Sequence, residues 1–195
     1  MKQTLASPAR FEQEIKGSRF LALAANVETP EHALQFFEDN SVADATHNCW
    51  AYRVGGLYRF NDDGEPGGSA GRPILSAIDG QTLDHVACLV IRWYGGTKLG
   101  VGGLVRAYGG TAAECLRNAN IVPIVRMEPV AFEVAFDHVG IARKSLQDFG
   151  ATDIAEDWTP NGVQFASALP SDNMTGLELA LNDATRGRIQ WNPDV

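Results

Sequence analysis

Cysteine is scarce in this chain of 195 residues: Cys49, Cys88 and Cys115 are the only three. An odd number at wide spacing builds neither a disulfide framework nor a paired C-x-x-C zinc site. Reduced thiols and a cytoplasmic setting are therefore expected. Long hydrophobic runs are missing too. No stretch of about eighteen apolar residues occurs, so no helical membrane span is expected, and "MKQTLASPARFEQEIKGSRF" at the N-terminus lacks the apolar segment of a signal peptide. Positive charge is also in short supply, with 16 Lys and Arg against 24 Asp and Glu and a formal net charge of −8. That balance argues against duplex binding by the whole surface, because phosphate neutralisation needs net positive charge facing the nucleic acid. No tandem repeat of short period and no low-complexity segment is present.

The deficit is uneven. Residues 1–125 carry 11 Lys and Arg against 13 Asp and Glu, whereas residues 126–195 carry 5 against 11. Between Asp84 and Glu114 there is no carboxylate at all, while Arg92, Lys98 and Arg106 all fall in that window. The same window holds "IRWYGGTKLGVGGLVRAYGGTAAE" (91–114), with seven glycines. A glycine in a helix interior costs roughly 0.5–1 kcal/mol relative to alanine. Some need for backbone shape or close approach must outweigh that cost.

Periodicity divides the chain into two α+β domains, 1–124 and 125–195. In the first, "RFEQEIKGSRFLALAANV" (10–27) predicts two strands around Gly17–Ser18. "TPEHALQFFEDN" (29–40) predicts a helix capped by Thr29 with Pro30 in its first turn. "NCWAYRVGGLYRF" (48–60) predicts a hairpin turning at Gly55–Gly56. "NDDGEPGGSAGRP" (61–73) is turn chemistry, "ILSAIDG" a short helix and "HVACLVIRWY" (85–94) a strand buried on both faces. "GVGGLVRAYGGTAAECLRNAN" predicts a helix whose glycines suit one face lying close to the sheet. The second domain reads strand, helix, two strands, helix, strand: "PVAFEVAFD", "HVGIARKSLQDFG", "ATDIAEDW", "GVQFASALP", "SDNMTGLELALNDATRG" with Ser171 as cap, and "RIQW". This βαββαβ order is the ferredoxin-like pattern.

A strand that ends in a glycine-rich turn before a helix aims backbone N–H groups and the positive end of the helix dipole at an anion. The spacing matches no named nucleotide fingerprint. Gly95 and Gly100 are followed by Val101–Gly102 instead of Lys-Ser/Thr, and Val105 stands where a dinucleotide loop needs its third glycine. Tight packing and anion binding both remain open for these glycines. Arg92, Lys98 and Arg106 alternate with Trp93, Tyr94 and Tyr108. Basic groups that track phosphates beside aromatic faces that stack on bases are what single-stranded nucleic acid recognition uses, although Trp93 and Tyr108 also suit a core.

Asp62, Asp63 and Glu65 crowd one turn, as an oxygen-rich cation site would require, but without EF-hand spacing. An ion pair between Glu65 and Arg72 that fixes the loop is the preferred reading. His47 and Cys49 fall on one strand face by period-two alternation. A Cys–His pair suits nucleophilic catalysis, but this spacing does not require it, and a His47 bonded to the acidic loop is preferred. Neither a metal nor a cofactor is expected.

Three segments, "ATHNCWAYRV", "DDGEPGGSAGRPIL" and "VIRWYGGTKLGVGGLVRAYGGTA", resemble in order and spacing the signatures of the IMPACT family, and the resemblance covers most of residues 10–120. The chain has "RWYGG" where "RYFGG" is usual and "GGSAG" where "SGTAG" is common, changes that remove no charge. The resemblance implies an N-terminal domain with the fold of the second domain of small-subunit ribosomal protein five. It also implies a ferredoxin-like C-terminal domain similar to the last domain of translocation factor G. Eukaryotic relatives regulate translation through a co-activator of an initiation-factor kinase, so a protein partner in translation control is among the expectations.

The expectation is a non-enzymatic regulator of translation that binds RNA or the ribosome. Its surface would comprise Arg92, Tyr94, Gly95, Gly96, Lys98, Gly100, Gly102, Gly103, Arg106 and Tyr108, with His47, Asp62, Glu65 and Arg72 shaping the adjoining loop. The alternatives are a phosphate-binding enzyme acting on a small phosphorylated metabolite or nucleotide, and an interaction module whose acidic C-terminal domain docks a basic partner.

Overall fold

Alternation along Val86–Trp93 organises the N-terminal part of the computed structural model, which describes residues 2–191. Ala87, Leu89 and Ile91 pack to one side of this strand, and Val86, Cys88 and Val90 to the other. A strand buried on both faces needs cover on both, and this one has it. It is β6, the centre of a five-stranded antiparallel sheet ordered β2 (Ala9–Ile15), β3 (Ser18–Asn26), β6, β4 (His47–Val54), β5 (Leu57–Asn61). Helix α1 (Pro30–Asn40) closes one face with Ala33 and Phe37, and Thr29 caps it by accepting from the His32 N–H. Helices α2 (Gly71–Gly80) and α3 (Val101–Arg117) close the other with Ile74, Ile78, Leu104, Tyr108 and Cys115. Each fully buried aliphatic or aromatic side chain contributes about 1.5–3 kcal/mol, so these two clusters carry most of the unit's stability.

Two short strands that the sequence pattern does not reveal, β1 (Gln3–Leu5) and β7 (Ile121–Pro123), pair with each other and fasten the two ends of the unit together. Helix α2 begins at Gly71, before the apolar run that predicts it. The Asp62 carboxylate reaches over to accept the Ala70 and Gly71 N–H groups at 3.0 and 2.8 Å, which caps the helix from a distance. The α3 glycines do not face the sheet as expected. A Cβ on Gly109 would touch Pro73 of α2, whereas Gly102 and Gly110 meet nothing, and the face on the sheet carries Leu104, Ala107, Tyr108 and Ala112.

Residues 125–195 form a second compact unit. Its strands β8 (Met127–Val134), β9 (Thr152–Trp158), β10 (Val163–Pro170) and β11 (Gln190–Trp191) make an antiparallel sheet ordered β11-β8-β10-β9. Helices α4 (Val139–Asp148) and α5 (Met174–Thr185) cover it through Leu146, Leu177 and Leu181 against Phe132 and Phe165. This is the ferredoxin-like arrangement, in which β8 and β9 run parallel but are split by β10. Ser171 does not cap α5. It opens a short 3-10 turn over Ser171–Asn173, and no side chain caps the helix. No described helix is long and apolar enough to cross a membrane.

Candidate functional site

The residue that follows Val90 by two on β6 is Arg92. The strand's alternation therefore carries it inward, onto the face beneath α2 and α3. Register places it opposite His47 on β4 and Phe20 on β3. It is only 5% exposed, and its guanidinium lies 5.5 Å from the Phe20 and Tyr94 ring centroids. An arginine there needs a counter-charge, and Glu65 supplies it: Nη1 donates to Glu65 Oε1 at 2.5 Å, with both side chains buried. The same oxygen accepts from the Tyr108 hydroxyl at 2.7 Å. Burial and the neighbouring thiol and carboxylate push the Tyr108 phenol far above its ordinary range, so it stays a neutral donor.

The acidic turn is folded around its own backbone. Asp62 accepts from the N–H groups of Gly68, Ala70 and Gly71, and this closure drives Glu65 into the interior. His47 Nδ1 lies 2.7 Å from the Asp63 carbonyl oxygen, which can only accept, so Nδ1 carries the proton. His47 Nε2 then faces Glu65 Oε1 at 3.7 Å. The Cys49 thiol donates to the Asp62 carbonyl at 3.0 Å and is fully buried. Burial pushes this thiol up to about 12, with the Glu65, Asp63 and Asp62 charges adding to the rise, which removes it as a nucleophile.

Above these buried groups lies a cleft of about 370 Å³ between the acidic turn, the end of β6 and the N-terminus of α3. His47, Glu65, Arg92, Tyr94, Lys98 and Gly100 line it, together with Thr46, Pro66, Leu99, Val101 and Leu104. Gly100 is the N-cap of α3 at φ +71°, a left-handed conformation that glycine adopts without strain and that leaves the helix start without a side-chain cap. Gly95 answers a different need. A Cβ there would sit 1.8 Å from the Gly17 carbonyl oxygen, so the loop leaving β6 can pass the β2–β3 turn only as glycine.

The expected surface therefore divides. Lys98 and Tyr94 are exposed at the cleft, Tyr94 by 45%. Arg106 and Arg72 are exposed on a second groove between α2 and α3, beside Gly109 and Gly110. Tyr108 belongs to neither surface: it is wholly buried, so it cannot stack on a base. Arg92 lines only the floor of the cleft, 5% exposed and neutralised by Glu65, and is not an exposed cation of either surface. Glu65 does not pair with Arg72, because the Asp62-centred loop turns it to Arg92 instead. Gly96 and Gly102 are exposed, and Gly103 packs on Leu99. Among the described residues no cluster of His, Cys, Asp or Glu could hold a metal ion. The Asp62 oxygens are already taken by backbone N–H groups.

The sheet, the acidic turn and the α3 N-terminus all fall within the stretch that the family model of the Impact N-terminal domain matches, residues 16–116. The chain belongs to the IMPACT family. An IMPACT family member of Thermus thermophilus is 50% identical over 176 residues, covering 90% of this chain and 97% of that one. The IMPACT family member YigZ of Escherichia coli is 31% identical over 192 residues, covering 95% and 94%. A solved structure described as a hypothetical protein superposes with a TM-score of 0.72 at 30% identity, covering 98% of this chain and 97% of that one.

Sequence reasoning missed the apolar walls of this IMPACT-family cleft, Pro66, Leu99, Val101 and Leu104. Leu104 was legible only as a core residue of α3. The other three lie in loops or at the helix start, where no period marks them.

Proposed function

We propose that this chain is a cytoplasmic regulator of translation whose N-terminal unit grips RNA, free or ribosomal, by its phosphates. One observation carries the reading. In a chain of net charge −8, Lys98, Arg106 and Arg72 are exposed around α3 and have no ion-pair partner among the described residues, and no carboxylate occurs between Asp84 and Glu114. Solvated cations without local counter-charge are what phosphate tracking requires. Tyr94 supports the reading as an exposed aromatic face on which a base can stack. Family membership supports the link to translation.

The test is filter binding of single-stranded RNA across a salt series. Lys98→Ala combined with Arg106→Ala weakens binding and flattens the salt slope by about 0.7 for each phosphate that is no longer neutralised. Unchanged affinity and slope reject the reading.

A further inference from the structure

The cleft over Glu65 and Arg92 has properties that a flat RNA-tracking face does not need. Arg92 lines it, is 5% exposed, and keeps its Nε–H without an acceptor. An unmade hydrogen bond on a buried charged group is costly, about 1–3 kcal/mol or more, and native interiors rarely tolerate one without a function. At the same cleft α3 starts with no side-chain cap, so the N–H groups of its first turn are free for an incoming oxygen. Lys98 stands at the mouth. The Glu65 charge is already offset by Arg92, so Lys98 and the helix dipole leave the cleft with net positive character.

The remaining walls are apolar. Pro66, Leu99, Val101 and Leu104 line a volume of about 370 Å³, within the range of small-ligand pockets and enough for roughly a dozen waters. A bare phosphate ion would leave most of that space wet. From these features we infer that the cleft binds a small phosphate monoester with an apolar or aromatic body. The phosphoryl oxygens meet Lys98, the α3 N–H groups and Arg92 Nε–H, while the body packs on the aliphatic walls. This site shares Lys98 and Tyr94 with the RNA reading, but Arg106 and Arg72 lie on the other groove, so Arg106→Ala separates the two.

The experiment is an amide-resolved NMR titration of the full chain with phenyl phosphate, with inorganic phosphate and phenol as separate arms. Saturable shifts at Val101, Gly102 and Gly103 are expected, with phenyl phosphate at least tenfold tighter than phosphate and phenol not binding. Val101 is 58% exposed, so Val101→Asp keeps the fold and favours the helix start while placing a carboxylate where the anion would sit. It should weaken phenyl phosphate at least tenfold with the melting temperature unchanged or raised. Arg106→Ala should leave phenyl phosphate unchanged, although it weakens RNA. No saturable shift at those amides up to about 10 mM, weaker than any affinity worth calling specific, overturns the inference. So do equal affinities for phenyl phosphate and phosphate, or a Val101→Asp variant that binds as the parent does.

Discussion

Arg92 and Glu65 meet beneath α3 with Nη1 to Oε1 at 2.5 Å, their side chains 6% and 4% exposed. Neither residue could be tolerated there alone, since an uncompensated buried charge costs several kcal/mol. The pair also sets the electrostatics of the cleft: it cancels one positive charge and leaves Lys98 in control of what approaches.

Breaking this pair from one side should therefore be far worse than replacing both. Glu65→Leu is expected to lose about 3–5 kcal/mol of unfolding free energy by leaving Arg92 unpaired, and Arg92→Met alone a comparable amount by leaving Glu65 unpaired. Adding Arg92→Met to Glu65→Leu should recover most of that loss. Urea unfolding of both single variants and the double variant measures the coupling, and simple additivity would contradict the pairing.

Two glycines of one segment should respond in opposite directions. Gly95→Ala forces a Cβ against the Gly17 carbonyl and is expected to cost about 3 kcal/mol or more. Gly110 lies within α3 with open space where its Cβ would go, so Gly110→Ala should stabilise by roughly 0.5–1 kcal/mol. Thermal melts of the two variants are the check.

Cys49 should be silent toward thiol reagents in the native protein. With its thiol raised to about 12, only about one molecule in ten thousand is thiolate near pH 8, and the sulfur is fully buried. Alkylation followed by peptide mass mapping should find Cys49 modified only at the rate of unfolding. Fast labelling of the folded protein would revive a nucleophilic role.

The Asp84 carboxylate, 2% exposed, accepts from Lys2 Nζ at 2.6 Å and from the Gly55 and His85 N–H groups. Burial alone would push it up, but these donors together hold it below its ordinary value. A lowered carboxylate adds stability above its unfolded value and loses it as pH falls through the folded one. Stability should thus drop below about pH 4 in the parent. Asp84→Asn should cost about 1–3 kcal/mol at neutral pH and narrow its gap to the parent as the solution is acidified. Denaturant titrations at several pH values would show a constant gap if the reading were wrong.

Much of the architecture was legible because it rests on local chemistry. The Gly55–Gly56 hairpin, the Thr29 cap, the doubly buried β6 and the βαββαβ order of the second unit all follow from turn residues and hydrophobic period. The inward direction of Arg92 was not read from the sequence, which placed it on the surface, although it shares parity with Val86, Cys88 and Val90. Its charge drew attention to the surface, and the alternation argued for the interior.

What the sequence by itself determined is most of the elements, without the β1–β7 pair, together with the carboxylate-free window and the family. What only the tertiary structure decided is which charges are spent inside and which remain for a partner. Arg92 and Glu65 are 27 residues apart, and no periodicity links the inward end of a strand to a loop. The Asp62 hydrogen bonds that close the acidic turn, and the register that sets His47 opposite Arg92, bring them together. Ion pairing in a core depends on that closure in space, whereas helices, strands and turns depend mainly on neighbours along the chain.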